Sequence, residues 1–227
     1  MVTNTPGVLT ETTAELTWAL IFAVARRIPQ AHNFTKDFQY KGWKLDLFLG
    51  QELSGKRLGI VGMGRIGKAV AYKARAFSMD IVYTDPNRLD PKMESNLQAT
   101  QLSLEDLLRT SDIITLHTTL NSKTFHLISE KNIPLIKKTA ILINVSRGPV
   151  VEEKALADAL EKGTIWGAGL DVYEDEPAIH PKLFGLDNVV LLPHIGSATV
   201  ETRSRMAFMA ANNLIQGLRG EKPDNLV

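Results

Sequence analysis

With 227 residues, of which 44% are hydrophobic and 22% charged, the chain can bury one sizeable core and a small second lobe. Its formal net charge of +1 provides no field for binding nucleic acid or an anionic membrane surface, so neither is expected as a partner. The absence of cysteine excludes disulfides and thiolate metal sites. We therefore expect no metal, a cytoplasmic location, and small molecules or other subunits as partners.

The first predicted element is an amphipathic helix over Glu11–Ile28. Thr10 is a candidate cap, and Pro29 ends the pattern. The apolar run Leu16–Ala25 is too short to span a bilayer and lacks the basic flank of a signal peptide. The residues that recur at helical spacing are Leu16, Ala19, Leu20 and Ala23.

Residues 32–50 form a loop that is rich in aromatic side chains and has no clear periodicity. Its aromatic residues are Phe34, Phe38, Tyr40, Trp43 and Phe48. Such a loop can fold onto its own core, or it can serve as an arm that contacts a second subunit, because aromatic residues are enriched at interfaces. Composition leaves both interpretations open, and with the preceding helix the arm predicts a homodimer.

From Arg57 onward, short apolar runs alternate with helical patterns. Strands are predicted over Arg57–Val61, Ile81–Thr84, Asp112–His117, Ala140–Val145, Ile165–Leu170 and Val189–Leu192. Helices are predicted over Ile66–Phe77, Leu104–Leu108, Ser129–Ile136, Glu152–Glu161 and Thr199–Leu218. This order predicts an α/β fold with a doubly wound parallel sheet, whose ligands bind beyond the carboxyl ends of the strands.

A G-x-G-x-x-G motif joins the first of these strands to its helix. Gly62, Gly64 and Gly67 stand at the three glycine positions. In this context the glycines permit a tight turn and close approach of a pyrophosphate, and the helix start offers free N–H groups to it. The alternative is an ordinary turn.

Asp85 follows the second strand, 23 positions after Gly62. A ribose-binding acid is expected about 20 residues after the motif. Asp85 would accept hydrogen bonds from the adenosine ribose and repel a 2′-phosphate, so NAD is favoured over NADP, although Arg88 leaves NADP open. Alone, Asp85 could also be a solvated acid at a strand end.

The ends of the later strands supply a cation, an acid and an imidazole. Arg147 can bind a carboxylate through two hydrogen bonds and polarise a neighbouring carbonyl. His194 can deliver a proton near neutral pH, with Glu176 as the carboxylate that orients it. Taken singly, Arg147 could form a loop salt bridge, His194 could cap a turn and Glu176 could be a solvated charge. Beside a dinucleotide site, their combination favours catalysis.

From Asn4 to the C-terminus the chain resembles the D-isomer-specific 2-hydroxyacid dehydrogenases, most of all their glyoxylate/hydroxypyruvate reductase branch. The resemblance implies a Rossmann-type NAD-binding domain and hydride transfer between NAD(H) and a small 2-oxo or 2-hydroxy acid. The matching segments are Asn4–Glu11, Leu58–Gly67, Asn144–Gly148, Gly169–Pro177 and Pro193–Gly196.

By this resemblance, Arg147, Glu176 and His194 are catalytic. The resemblance also assigns cofactor-binding roles, beginning with Arg65 and Ile66 at the pyrophosphate and Asp171 at the carboxamide. The full set implied to bind cofactor is Gly62, Gly64, Arg65, Ile66, Gly67, Asp85, Thr119, Val145, Ser146, Arg147, Asp171, His194, Gly196 and Ser197. Thr119 departs from the pattern, because the family usually has proline there.

The family's substrate domain, about a hundred residues long, would precede the Asn4 segment, and most of it is missing here. We therefore expect a truncated or cleaved chain. Residues 1–50 would form the helix and dimerisation arm, 51–196 the dinucleotide-binding domain, and 197–227 a helix returning toward the absent domain. An NAD(H)-sensing interaction module is the alternative function. A formate dehydrogenase is disfavoured by Glu176.

Overall fold

The computed structural model describes all 227 residues. Seven helices and seven strands alternate along most of the chain. The helices are α1 (Thr10–Ala25), α2 (Ile28–Lys36), α3 (Arg65–Ala74), α4 (Pro91–Leu97), α5 (Leu104–Thr110), α6 (Glu153–Glu161) and α7 (Val200–Leu218). The strands are β1 (Arg57–Val61), β2 (Asp80–Thr84), β3 (Ala99–Gln101), β4 (Ile113–Leu116), β5 (Ile141–Asn144), β6 (Gly167–Leu170) and β7 (Val189–Leu191).

All seven strands form one parallel sheet in the order β3-β2-β1-β4-β5-β6-β7. The predicted doubly wound parallel sheet is confirmed. The order reverses between β1 and β4, whose register pairs Leu58 with Ile113 and Val61 with Leu116. Ligands of such sheets bind in the crevice at this reversal, beyond the carboxyl ends of the strands.

The sheet separates two apolar cores. Alternate residues of β5 point to opposite faces: Ile141 and Ile143 belong to the core under α1 and α3, and Leu142 belongs to the core under α5 and α6. Every residue of β5 is buried. Burial on both faces explains why these strands are continuously apolar in sequence rather than alternating.

The predicted burial pattern of α1 is wrong in detail. Ala19 is exposed, whereas Thr13 and Thr17 are buried. The Thr17 hydroxyl donates to the Thr13 carbonyl oxygen at 2.8 Å, so a polar residue is accommodated without an unpaired group. Nor is Thr10 the cap, because the helix starts from Leu9 without a side-chain cap.

Two further predictions are corrected. Pro29 does not end the helical region but lies in the first turn of α2, a helix that the pattern missed. The predicted helix Ser129–Ile136 is only the short 3₁₀ turn Ile133–Leu135. The start of this segment instead makes local bonds, since the Ser129 N–H donates to the side chain of Asn132.

Two short elements, α4 and β3, were also absent from the prediction. Asp90 caps α4 by accepting from the Met93 N–H at 2.9 Å, and Pro91 starts the helix. Both elements are brief, and β3 lies at the edge of the sheet. Their apolar pattern is therefore too short to reveal a period.

The aromatic arm does not fold onto the core of its own chain. Phe38 is 83% exposed and Trp43 is 79% exposed. Phe34 and Phe48 pack edge to face with ring centroids 5.2 Å apart, and the Arg27 guanidinium lies over the Phe48 ring. The arm thus has a small internal contact and a large exposed apolar surface.

Helix α7 forms where predicted, with Thr199 as its N-cap. It is tied to the rest of the fold by a hydrogen bond between the hydroxyl groups of Thr202 and Thr12 and by one from the Asn213 side-chain amide to the Asn4 carbonyl. Its remaining apolar side chains are largely exposed: Val200, Phe208, Leu214 and Leu218. No helix in the structure is both long and apolar enough to span a bilayer. The division of the chain at residues 50 and 196 stays a prediction.

Trp18 provides a test of the packing of α1. Its ring is 5% exposed and stacks on Phe77 with centroids 4.9 Å apart. We expect Trp18→Ala to lower the free energy of unfolding by about 3–5 kcal/mol, because it leaves a large cavity. Denaturant titration followed by circular dichroism measures the change. Phe184→Ala, at an exposed phenylalanine, is the matched control and should change stability by less than about 0.5 kcal/mol. Equal effects would contradict this packing.

Candidate active site

The glycine motif forms the turn between β1 and α3. Gly62 has φ +94°, and a Cβ placed on it would approach the backbone of His117 and Thr118 at 2.8 Å. A Cβ on Gly67 would collide with the Gly62 carbonyl oxygen. Gly62 therefore requires glycine because of its conformation and the lack of space, and Gly67 because the helix packs closely on the strand.

The start of α3 is open to a ligand. Gly64 is the N-cap and provides no side-chain cap. The N–H groups of Arg65 and Ile66, in the first turn, have no partner within the helix. A Cβ on Gly64 would meet nothing within 4 Å. This open helix start after a glycine turn fits the pyrophosphate of a dinucleotide.

Asp85 lies directly over the glycine turn. One of its carboxylate oxygens accepts from the Met63 N–H at 2.8 Å, and the other accepts from the Asn87 N–H at 2.8 Å. The backbone carbonyl oxygen of Asp85 accepts from the side-chain amide of Gln101. Each carboxylate oxygen retains a lone pair. The carboxylate is thus held at the end of β2, where it can accept hydroxyl groups of a ribose.

The loop after β5 is organised by Asn144. Its side-chain oxygen accepts from the Ser146 N–H at 3.0 Å and the Ser146 hydroxyl at 2.8 Å, and its amide donates to the Arg147 carbonyl at 3.0 Å. Val145 and Ser146 are buried. A Cβ on Gly148 would overlap the Tyr173 carbonyl. This loop therefore lies against the one that follows β6.

His194 and Glu176 form a hydrogen-bonded pair with Nδ1 and Oε2 2.8 Å apart. The other Glu176 oxygen accepts from the Tyr173 N–H at 3.0 Å. Burial alone would raise the pKa of Glu176, but the bonds from His194 and Tyr173 and the charges of His194 and Arg147 outweigh it and lower the pKa. His194 and Glu176 thus meet, as expected from their positions after neighbouring strands, and the charge of Arg147 acts on Glu176.

Asp171 holds the turn that carries His194. It is 1% exposed, and its two oxygens accept from the N–H groups of Ile195 at 2.7 Å and Gly196 at 2.8 Å. His194 itself has φ +55°, a conformation that is uncommon outside glycine. Burial raises the pKa of Asp171, although these two bonds oppose the shift. Both oxygens thus hold the His194 turn, and the predicted role of Asp171 at the cofactor carboxamide stays a prediction.

Comparison with known proteins agrees with this arrangement. The sequence profile described as D-isomer specific 2-hydroxyacid dehydrogenase, NAD binding domain, matches residues 18–196. The chain belongs to this family. A glyoxylate reductase from Thermococcus litoralis is 52% identical over all of this chain and 69% of its own length.

Solved structures show the same likeness. A Thermus thermophilus protein superposes with a TM-score of 0.92 at 46% identity, covering 99% of this chain and 70% of its own. An NADPH-dependent glyoxylate/hydroxypyruvate reductase from Sinorhizobium meliloti, solved with NADP and malonate, has a TM-score of 0.90 at 33% identity. It covers all of this chain and 70% of its own. This chain therefore contains the family's NAD-binding domain.

Two further glutamates that the sequence analysis missed brace the loop carrying Glu176. Glu153, at the start of α6, accepts from the N–H groups of Glu174 at 2.8 Å and His180 at 2.5 Å. Glu174 in turn accepts from the Glu153 N–H at 3.0 Å, and its other oxygen lies 2.5 Å from Nε2 of His126. The only sequence signal was the acidic start of α6, which is ordinary for a helix.

The other two predicted cofactor residues lie in loops at the same edge of the sheet. Thr119 is exposed after β4, and its carbonyl accepts from the Thr124 hydroxyl at 2.6 Å. Ser197 follows the His194 turn, and its carbonyl accepts from the Thr199 N–H at 3.0 Å. Both residues thus lie at the edge of the sheet where the cofactor is expected, and their roles in binding it stay predictions. No cluster of three or more acidic or imidazole side chains is suited to a metal ion.

His117, at the end of β4, has a buried imidazole whose two nitrogens have no hydrogen-bond partner. Burial lowers its pKa from 6.5 to about 3. Below pH 6.5 the unfolded chain therefore binds a proton that the folded chain does not, so stability falls as the pH decreases toward 3.

This difference can be measured by denaturant titration at pH 7 and pH 5. Between these values the free energy of unfolding should fall by about 2 kcal/mol more in the wild type than in His117→Gln, because the variant lacks the titrating imidazole. His32→Gln, at an exposed histidine, is the control and should behave as the wild type. Parallel losses in wild type and His117→Gln would contradict the buried, neutral state of His117.

Proposed function

We propose that the protein is an oxidoreductase that moves a hydride between NAD(H) and a small 2-oxo or 2-hydroxy acid, of the glyoxylate or hydroxypyruvate reductase type. The observation that carries this proposal is the His194–Glu176 pair beside Arg147, at the sheet edge that also carries the glycine turn. Relatives named glyoxylate reductase support the substrate class. Nothing among the relatives favours the NAD(H)-sensing alternative.

The residues around the glycine turn would hold the cofactor. The first-turn N–H groups of α3 would bind its pyrophosphate, and Asp85 its adenosine ribose. The carboxylate of Asp85 would repel a 2′-phosphate, which supports NAD over NADP. When bound, the dinucleotide supplies the hydride for the carbonyl carbon.

Arg147 would bind the substrate. One of its terminal nitrogens donates to the Ser146 carbonyl at 2.6 Å, which fixes the side chain. The remaining guanidinium N–H groups are available for the carboxylate and the adjacent carbonyl oxygen of a 2-oxo acid. Its positive charge stabilises the negative charge that develops on that oxygen during reduction.

His194 would complete the reduction. With Nδ1–H donating to Glu176, protonated His194 presents Nε2–H to the substrate oxygen and gives up this proton as the carbonyl carbon accepts the hydride. Glu176 stabilises the imidazolium that must exist before transfer. The 2-oxo acid gains one hydride and one proton and becomes the 2-hydroxy acid. In the reverse direction neutral His194 accepts the proton from the hydroxyl group.

Removing the proton donor should therefore affect turnover and spare cofactor binding. In a chain that includes the family's substrate domain, we expect His194→Gln to lower kcat for glyoxylate reduction by about 10²–10⁴-fold, measured from the loss of NADH absorbance. The dissociation constant for NADH, measured by its fluorescence, should stay similar. The exposed variant His32→Gln is the control for loss of an imidazole.

Unchanged turnover in His194→Gln would remove this residue from the mechanism. If a chain that includes the family's substrate domain binds NADH but reduces neither glyoxylate nor hydroxypyruvate, the measurement favours the NAD(H)-sensing alternative instead.

We also propose that the protein acts as a homodimer. The support is the exposed arm, where Phe38, Tyr40 and Trp43 present aromatic surface to solvent next to α2. Aromatic anchors of this kind are typical of the buried centre of an interface. The cytoplasmic location predicted from the sequence stays a prediction.

The dimer can be tested by sedimentation equilibrium at micromolar concentration. The wild type should have twice the chain mass of 25.1 kDa. Trp43→Asp should shift it toward the monomer, because a buried unpaired carboxylate opposes association. Phe184→Asp, at an exposed aromatic residue outside the arm, should leave the mass unchanged. A monomeric wild type would contradict the proposal.

A further inference from the structure

The one cation in the turn that follows β2 is not free. Arg88 lies three residues after Asp85, and its Nε and a terminal nitrogen donate to the two carboxylate oxygens of Glu94 at 3.0 and 2.9 Å. The Arg88 side chain is 69% exposed, whereas that of Glu94 is 13% exposed. The glutamate is therefore the fixed partner of this ion pair.

A buried tyrosine also fixes Glu94 in place. The hydroxyl of Tyr83, whose side chain is fully buried in β2, donates to Glu94 Oε1 at 2.6 Å and accepts from the Leu89 N–H at 3.0 Å. One hydroxyl thus fixes both the acid and the backbone of the turn that bears Arg88. These contacts connect the strand before Asp85 with α4.

We propose that Glu94 determines cofactor selectivity by holding the Arg88 guanidinium in a bidentate ion pair, so that this cation does not serve a 2′-phosphate. The inference rests on the proposed binding of the adenosine ribose at Asp85. It assigns the rejection of NADPH to two residues acting together. Asp85 repels the 2′-phosphate, and Glu94 keeps the positive charge of Arg88 from attracting it.

The charges of the turn explain why the ion pair matters. Arg88 and Glu94 cancel, so the net charge that a 2′-phosphate meets here is that of Asp85. The pair uses the Nε and one terminal nitrogen of Arg88 and leaves three of its five N–H groups, so Glu94 acts by neutralising the positive charge and by fixing where the guanidinium points. Neutralising Glu94 would release the guanidinium on a flexible, exposed side chain and reduce the negative charge by one unit. Both changes favour a phosphorylated ribose.

Glu94→Gln is the sharpest variant, because glutamine has the same shape and can still accept from Tyr83. We expect the dissociation constant for NADPH to fall about tenfold relative to that for NADH. Both constants are measured by cofactor fluorescence at fixed ionic strength, without substrate. Glu105→Gln, on the exposed side of α5, removes the same charge away from any arginine contact and should leave the ratio unchanged.

Two more variants separate release of Arg88 from a general charge effect. Arg88→Ala alone leaves the Glu94 charge uncompensated, so NADPH affinity should not rise and the ratio should shift, if anything, toward NADH. The double variant Arg88→Ala/Glu94→Gln should lose the gain of Glu94→Gln. This nonadditivity is the signature of coupling through the ion pair.

An unchanged ratio in Glu94→Gln would overturn the inference, as would a gain that survives in the double variant. A gain of NADPH affinity in Arg88→Ala would also overturn it, because the guanidinium would then exclude the phosphate rather than be withheld from it. A wild type that binds neither dinucleotide would refute the cofactor site itself, and with it the selectivity inference. Tight NADH binding with an unchanged ratio would refute the selectivity inference alone.

Discussion

A parallel sheet delivers the carboxyl end of every strand to one edge, and the site depends on this constraint. Gly62 follows β1, Asp85 follows β2, and Arg147 follows β5. The loops after β6 and β7 add Glu176 and His194, which meet at 2.8 Å although 18 residues separate them. In an antiparallel arrangement, successive strand ends would fall at opposite edges. The parallel sheet therefore concentrates the polar residues without burying them in the apolar core.

Backbone N–H groups do most of the positioning at this edge. Carboxylates accept from them in three separate places: Asp85 from the glycine turn, Asp171 from the His194 turn, and Glu153 from the loop after β6. An ionised oxygen makes a stronger bond to an N–H group than a neutral one does. Each loop is thus fixed by an acid from a neighbouring segment, which gives the site rigidity before any ligand binds.

Two of these acids hold loops through backbone N–H groups, and the predicted role of Asp171 at the carboxamide stays a prediction. Asp171 and Glu153 are buried, yet their oxygens are used by the protein's own backbone. Glu176 differs because one oxygen is held by the Tyr173 N–H while the other contacts an exposed imidazole. This division of its two oxygens, one structural and one facing the site, makes it suited to orienting a proton donor.

The sequence by itself determined the parallel α/β fold, the glycine turn, the acid after β2 and the catalytic candidates, because these depend on local patterns and on the order of strands. Tertiary packing decided the rest. Thr13 and Thr17 of α1 can be buried because their hydroxyl groups donate to carbonyl oxygens, which no hydrophobic pattern reveals. The segment before Ile136 is not a helix, since local side-chain bonds replace the helical ones. The contacts of Asn144 and the pairing of Arg88 with Glu94 join residues whose proximity depends on how turns fold, so only the structure could show them.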